Sequence, residues 1–237
     1  ASSALGENLL RYFDTPGIVH IDLMKDVQKT YNLSSYKLDK VASNFIKGIV
    51  KELKLKKTSK KTGLKTFELI CDQVNDLHLD DYIHLELMES FVSEDIGDKF
   101  KVLKLDEKNK IITIKTDLDL IDECDFSRGK IYWSQAKDDV PPKEIFRMQH
   151  LGSKERCIVA KYCLKDCRLV NLLINKLEVV TKNIEMANVC YVPLSYLFVR
   201  GQGIKLFSLC LKEYRKHGFL FPVVRKPDED LGSYEGA

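Results

Sequence analysis

The apolar positions of this chain change their spacing twice along its length. Up to about residue 50 they recur at helical intervals. A helix is predicted from Asp22 to about Asn32, and "SSYKLDKVASNFIKGIV" predicts a second, with Leu38, Val41, Ala42 and Phe45 on one face. Ahead of them Gly17 breaks a short apolar run over 18–23 that suits the end of a buried strand. From about 66 to 133 the spacing becomes two, in "TFELIC", "YIHLELM", "KFKVLKL", "KIITIKT" and "KIYW", with turn residues such as "DEKN" and "SRG" between some of them. This pattern predicts a small antiparallel β module between helical parts. Helical spacing then returns. The prolines of "DDVPPKEIFRMQ" suit a helix start with Asp139 near its cap, and Ser153 is placed to cap a long helix running to about 182. A helical region over 193–217 and a strand, "FLFPVV", complete the pattern.

One position breaks the long helix's stripe. Val159, Cys163, Val170, Leu173 and Leu177 line one side of it, and Asp166 stands near the middle of that side, with Tyr162 one turn before it. A carboxylate turned inward must be neutralised, hydrogen-bonded, ion-paired or bound to a metal. A hard divalent cation prefers carboxylate oxygens and generally needs more than one such residue, so Asp166 as a ligand implies partners elsewhere. Tyr162 is either core or a group that holds a water or phosphate oxygen near that metal.

Composition narrows the classes only a little. The 237 residues are 44% hydrophobic and 31% charged, ordinary for a soluble globular protein with room for one large domain or two small ones. A net charge of +3 places any basic footprint locally, and the clearest local run is "KELKLKKTSKKTGLK", seven lysines over 51–65, a boundary or exposed loop that could also track a nucleic-acid backbone. No apolar run is long enough to span a membrane, and the N-terminus has no signal-peptide pattern. Seven cysteines without CxxC spacing read as reduced, buried small hydrophobes of a reducing intracellular compartment, not as a zinc site. Both ends read as cut from something longer.

Tyr162-Cys163-Leu164-Lys165-Asp166 has the Y-x3-D form of the third exonuclease motif of family B DNA polymerases. Downstream, "VPLSYLFVRGQGIK" resembles the segment that joins exonuclease to palm in the delta-type and large-DNA-virus members, and "SYEGA" resembles their tyrosine–glycine motif. Upstream, "SSALGENLLRYFDTPGIVHIDLMKDVQKTYNLSSYKLDKVA" resembles the stretch after the second exonuclease motif, and "YWSQAKDDVPPKEIF" is most similar to giant-virus relatives. The resemblance covers the flanks, about 1–50 and 131–237. It implies an α/β fold: part of a ribonuclease-H-like 3′–5′ exonuclease domain with a β-rich insertion, leading into the start of the polymerase palm. The implied segments are 1–53 after the second exonuclease motif, 54–132 as the insertion, 133–190 with the third motif, and 191–237 as the connection.

The mechanism implied by the family is two-metal phosphodiester hydrolysis at a primer end. Asp166 would be a ligand of Mg2+ or Mn2+ and Tyr162 would orient the attacking water, both as catalytic residues. Tyr234 and Gly236, Lys37, Arg200 and Lys205 would meet DNA backbone, although a solvated helix lysine explains Lys37 equally, and capping or solvation explains Arg200 and Lys205. Implied partners are primer-template DNA, a single-stranded 3′ end, deoxynucleotides in the full enzyme and a sliding clamp, with no membrane. The implied location is the nucleus or a cytoplasmic viral replication site.

The departures are as informative. No Asp is followed two residues later by Glu, as the first motif requires, and "NLLRYFD" has one residue too many for the second, so Asp14 reads as a decoy. Polymerase motifs of the D-x2-S-L-Y-P and Y-G-D-T-D types are absent. The chain thus reads as an internal piece of a polymerase, inactive by itself, with a noncatalytic DNA-binding or structural derivative as the alternative. Three softer groups read as structural. His78, Asp80, Asp81, His84 and Glu86 suit solvated strand faces, Asp138 and Asp139 suit capping, and Tyr132 and Trp133 suit the β module's core.

Overall fold

The computed structural model describes residues 13, 15–59, 63–89, 92–137 and 140–221. Two short helices, α1 (Leu23–Thr30) and α2 (Leu38–Phe45), lead into six strands. These are β1 (Lys47–Thr58), β2 (Lys65–Cys71), β3 (Tyr82–Glu89), β4 (Val92–Asp106), β5 (Ile111–Thr116) and, after the helical turn α3 (Leu120–Glu123), β6 (Lys130–Ala136). The helices α4 (Pro142–Gln149), α5 (Ser153–Lys176), α6 (Val179–Cys190), α7 (Leu194–Val199) and α8 (Gln202–Lys216) follow. Contacts gather the chain into two units, Leu23–Val180 and a second formed by Ala1–Asp22 with Thr181–Ala237.

In the larger unit the strands close into an antiparallel barrel in the order β1-β2-β5-β4-β3-β6, with β6 pairing back onto β1. All strands among the described residues belong to it. The period-two pattern explains the interior, because alternate side chains of a strand face the same way. Phe67, Leu69, Ile83, Leu85, Leu87, Val102, Ile112, Ile114, Ile131 and Trp133 point inward and are almost completely buried. Closure also leaves no open edge to invite association. The module starts at Lys47 and ends at Ala136, wider at both ends than the 54–132 that the pattern marks out.

The extra width is β1, where the predicted second helix ends early. Ile46, Ile49, Val50 and Leu53 have helical spacing, yet the chain leaves α2 at Phe45 and pairs Lys47–Val50 with β6 and Val50–Thr58 with β2. Gly48 shows why the strand wins here. A Cβ at this position would lie 2.5 Å from Trp133 Nε1, 2.8 Å from Asp72 Oδ1 and 2.9 Å from the Gln73 carbonyl. The strand passes under Trp133, whose indole N–H donates to that same carbonyl at 3.0 Å. The lysine-rich stretch is therefore not simply a loop. Much of it forms the exposed outer ends of β1 and β2, with Lys56 paired to Glu68 at 3.1 Å.

Other expectations shift by a turn or two. The run over 18–23 forms no strand, and its Ile18 and Val19 are exposed. Ser153 is the first residue of α5 rather than its cap, a position held by Gly152. The long helix stops at Lys176, where Glu178 takes a left-handed φ of 49°, and α6 begins afresh. Pro142 does open α4, with Pro141 at the cap. Asp14, Asp138 and Asp139 lie outside the described residues.

In the smaller unit the 193–217 helix divides at Arg200–Gly201 into α7 and α8. Residues 219–221 are irregular rather than a strand, and the rest of "FLFPVV" lies outside the described residues. Phe221 makes edge-to-face contacts with Phe207 and Tyr214, at 5.1 and 5.2 Å between ring centres.

Candidate functional site

The inner face of α5 is built by Val159, Leu169 and Leu173, all buried, and by Tyr162 and Asp166, which are partly covered. Cys163, expected on this stripe, is exposed, as are Cys157 and Cys167; their positions fall on the outer side of the helix as it packs beside α2 and α4. Cys71, Cys124 and Cys190 are the buried thiols. Burial, helped by the Asp72 charge, pushes the Cys71 thiol up to about 12, and burial with the Glu123 charge pushes Cys124 up to about 11.

The partner of Asp166 comes from the barrel. Lys137, the residue after β6, brings its Nζ to 2.9 Å from Asp166 Oδ2 and lies over the Tyr162 ring at 5.1 Å from its centre. Burial works against the Lys137 charge, but hydrogen bonds to Tyr162 and Asp166 and the Asp166 charge outweigh it and hold its pKa up at about 12. The i, i+4 spacing thus does aim Tyr162 and Asp166 at one point, and a lysine occupies that point. Sequence reasoning missed Lys137, whose only sequence signal is its place just after a strand.

Beside the pair lies a cavity of about 30 Å³ lined by Asp81, Tyr82, Gln135, Lys137, Lys165 and Asp166, among others. Gln135 is 6% exposed and its side-chain oxygen has no hydrogen-bond partner. The space is sized for one water, and an unsatisfied buried acceptor wants a donor there. Asp81 is held by the His78 backbone N–H, which donates to its Oδ2 at 2.9 Å. His78, Asp80 and Asp81 lie in the loop before β3 and not on a strand face, and only His84 and Glu86 belong to β3. Among the described residues no three His, Cys, Asp or Glu side chains come together in a way that could hold a metal ion. With Asp166 already ion-paired and Asp81 accepting from the His78 backbone, the donor set does not by itself fit a two-cation centre.

The expected DNA-contacting residues fall in both units. Lys37 is exposed at the N-cap of α2 and lines neither this cavity nor the wider cleft next to it. In the other unit Arg200 caps α7 and stacks on Tyr196 at 5.3 Å, while Lys205 is half-buried in the first turn of α8, so the "GQG" segment opens a helix instead of forming a turn. Tyr234 and Gly236 lie outside the described residues. Trp133 is buried as expected, and the half-covered Tyr132 carries Lys47 over its ring at 5.6 Å. No helix among the described residues is long and apolar enough to cross a membrane.

No protein-family model matches the chain. It is similar over its whole length to the DNA polymerase of Pyramimonas orientalis virus, at 46% identity, and to that of Acanthamoeba polyphaga mimivirus, at 35%. It spans 17% and 16% of those two proteins. The DNA polymerase delta catalytic subunit of Arabidopsis thaliana is 36% identical over 45% of the chain, and the match covers 10% of that subunit. Both viral alignments cover the whole of this chain, the barrel-forming residues included.

Proposed function

Since the chain belongs to the family of DNA polymerases found in large DNA viruses and related to the delta catalytic subunit, we propose that it carries part of the 3′–5′ proofreading exonuclease of a replicative polymerase. Asp166 is its metal-binding carboxylate and Tyr162 the residue that orients the hydrolytic water. The observation that carries this reading is that Asp166 and Tyr162 stand one turn apart on the inner face of α5 and aim at the same point. An inward carboxylate costs stability unless it is matched, and its place in a Y-x3-D segment gives that cost a purpose.

The cofactor belongs to the proposal as Mg2+ or Mn2+, held jointly with carboxylates from outside these residues. So does a ribonuclease-H-like sheet, since the strands described here all build the barrel. The same reading takes primer-template DNA and a single-stranded 3′ end as ligands, deoxynucleotides for synthesis and a sliding clamp as partner. It assigns Lys37, Arg200, Lys205, Tyr234 and Gly236 to backbone contacts, and a nuclear or cytoplasmic viral replication site as the place of action.

The test is Asp166→Ala in the complete polymerase, assayed on a primer with a mismatched 3′ end. Excision is expected to fall by roughly a hundredfold or more, as when a group acting on the transition state is removed, with synthesis on a matched primer largely retained. Unchanged excision would sink the assignment. It would favour the second reading, a noncatalytic DNA-binding or structural module, for which the Lys137–Asp166 ion pair speaks.

A further inference from the structure

Gln135 of β6 puts an amide where its strand neighbours Trp133 and Ala136 are buried and apolar. Its backbone N–H donates to the Ile46 carbonyl at 2.9 Å, but its side-chain oxygen is buried with no partner. An acceptor left this way gives up its hydrogen bonds to water on folding and gains none in return. Gln135 also forms part of the wall of the cavity of about 30 Å³, together with Asp81, Lys137, Lys165, Asp166 and Arg168.

The facing walls of that cavity are held in place. Asp80 and Asp81 are pinned to β4, where the Asp80 N–H donates to the Val102 carbonyl at 3.1 Å and the Val102 N–H to the Asp81 carbonyl at 2.8 Å. The chain turns there through Asp80, at a left-handed φ of 66°. The His78 N–H holds one oxygen of the buried Asp81 carboxylate. Helix α5 is tied to the same loop twice. Lys165 donates to the Asp80 carbonyl at 2.6 Å, and about three turns further along Lys176 pairs with Asp76 at 3.3 Å. Barrel and helix thus enclose a space between fixed groups, with an amide oxygen and carboxylates as acceptors and ammonium and guanidinium heads as donors. A small neutral molecule that both donates and accepts satisfies them, and a volume of about 30 Å³ is that of one water.

We propose that this cavity is a water site and that Gln135 acts through it as a positioning residue for Asp166. One buried water donates to Gln135 Oε1 and to the Asp166 carboxylate and accepts from Lys137. The Lys137 ammonium alone reaches Asp166 through one oxygen, Oδ2, and a carboxylate held at one point can still turn about its last bond. A bridging water supplies a second point of restraint, nearly as strong as a direct hydrogen bond. The barrel then contributes orientation, because one short segment at the end of β6 brings both Gln135 and Lys137 to the helix. That this orientation serves excision rests on the exonuclease reading; the water site itself does not.

The experiment joins a high-resolution crystal structure of the complete polymerase to single-turnover excision of a mismatched primer end. In the wild type a water is expected within hydrogen-bonding distance of both Gln135 and Asp166. Gln135→Met, close in size but without a strong acceptor, is expected to lose that water. Its excision should slow roughly five- to tenfold, the rate equivalent of one hydrogen bond, with primer affinity and synthesis on a matched primer unchanged. Gln135→Glu keeps the shape and the acceptor, and is expected to retain the water and to excise within about twofold of the wild type. A dry cavity in the wild type, or a water that touches only one of the two residues, overturns the proposal. So does an equal loss of excision in Gln135→Met and Gln135→Glu, which a merely structural role would give. Unchanged excision by folded Gln135→Met, where Asp166→Ala has lost it, overturns it too. Should Gln135→Met unfold, as judged by its thermal melt, the wild-type density decides alone. Normal excision by Asp166→Ala would remove the exonuclease assignment and leave the water site to be judged by that density, whereas lost excision with a dry cavity would remove this inference alone.

Discussion

The barrel and α5 each turn one face inward, and they fill that face in opposite ways. Along β2, β3 and β5 nearly every second residue is buried and apolar, and the strands need nothing from outside the barrel to satisfy their backbone groups. Along the 24 residues of α5 only Val159, Leu169 and Leu173 are buried, and the middle of the inward face goes to a tyrosine and an aspartate. The side chains of Lys137 and Asp166 retain 23% and 27% exposure, so their pairing sits in the range where ion pairs add little stability. Polar groups that cost packing without returning stability mark the part of a fold shaped for something else.

Large-to-small substitution should separate the regions most clearly. Trp133→Ala removes the largest fully buried side chain of the barrel and its hydrogen bond to Gln73, and is expected to cost about 3–5 kcal/mol in urea unfolding. Leu169→Ala, on a helix face with few buried neighbours along its own length, should cost about 2 kcal/mol, the low end for a buried leucine. Equal losses at both sites would mean that α5 and the barrel share one core.

Alkaline pH sharpens the same contrast by a smaller step. Cys71 and Cys124 ionise in the unfolded chain near 9 but stay protonated in the fold to about 12 and about 11. Their contribution is intact below pH 9 and is lost as pH rises toward the folded values, at about 1.4 kcal/mol per pH unit for each thiol as an upper bound. Cys71→Val should flatten the fall in unfolding free energy between pH 9 and 11. An unchanged slope would show that the Cys71 thiol is not shielded as its burial implies.

The smallest effect is expected at the ion pair. Lys137→Met and Asp166→Asn should each change stability by about 1 kcal/mol or less, with the double variant no worse than the sum. With the Lys137 pKa raised from 10.5 to about 12, the pair holds below pH 10.5 and weakens only as pH climbs through 12, so titration below pH 10 should leave it untouched. A loss of several kcal/mol in either single variant would make the pair a structural element and weaken its functional reading.

Short-range periodicity accounts for what could be read along the chain. Alternation marked β2, β3, β5 and β6 and the inner part of β4, the double proline marked the start of α4, and the stripe of Val159, Cys163, Val170, Leu173 and Leu177, of which Cys163 proves exposed, put Asp166 and Tyr162 on the inner face of α5. Each of these is a property of a few consecutive residues, whose side chains fall on fixed faces of a helix or strand. The tertiary structure alone decided the rest. Ile46, Ile49, Val50 and Leu53 satisfy a helix as well as a strand, and only pairing with β2 and β6, with room for Gly48 beneath Trp133, selects β1. Closure of the barrel and the arrival of Lys137 at Asp166 depend on contacts between residues far apart in the chain. No local pattern encodes which lysine of so many will meet a given carboxylate, because that partner is chosen by where the strands end in space.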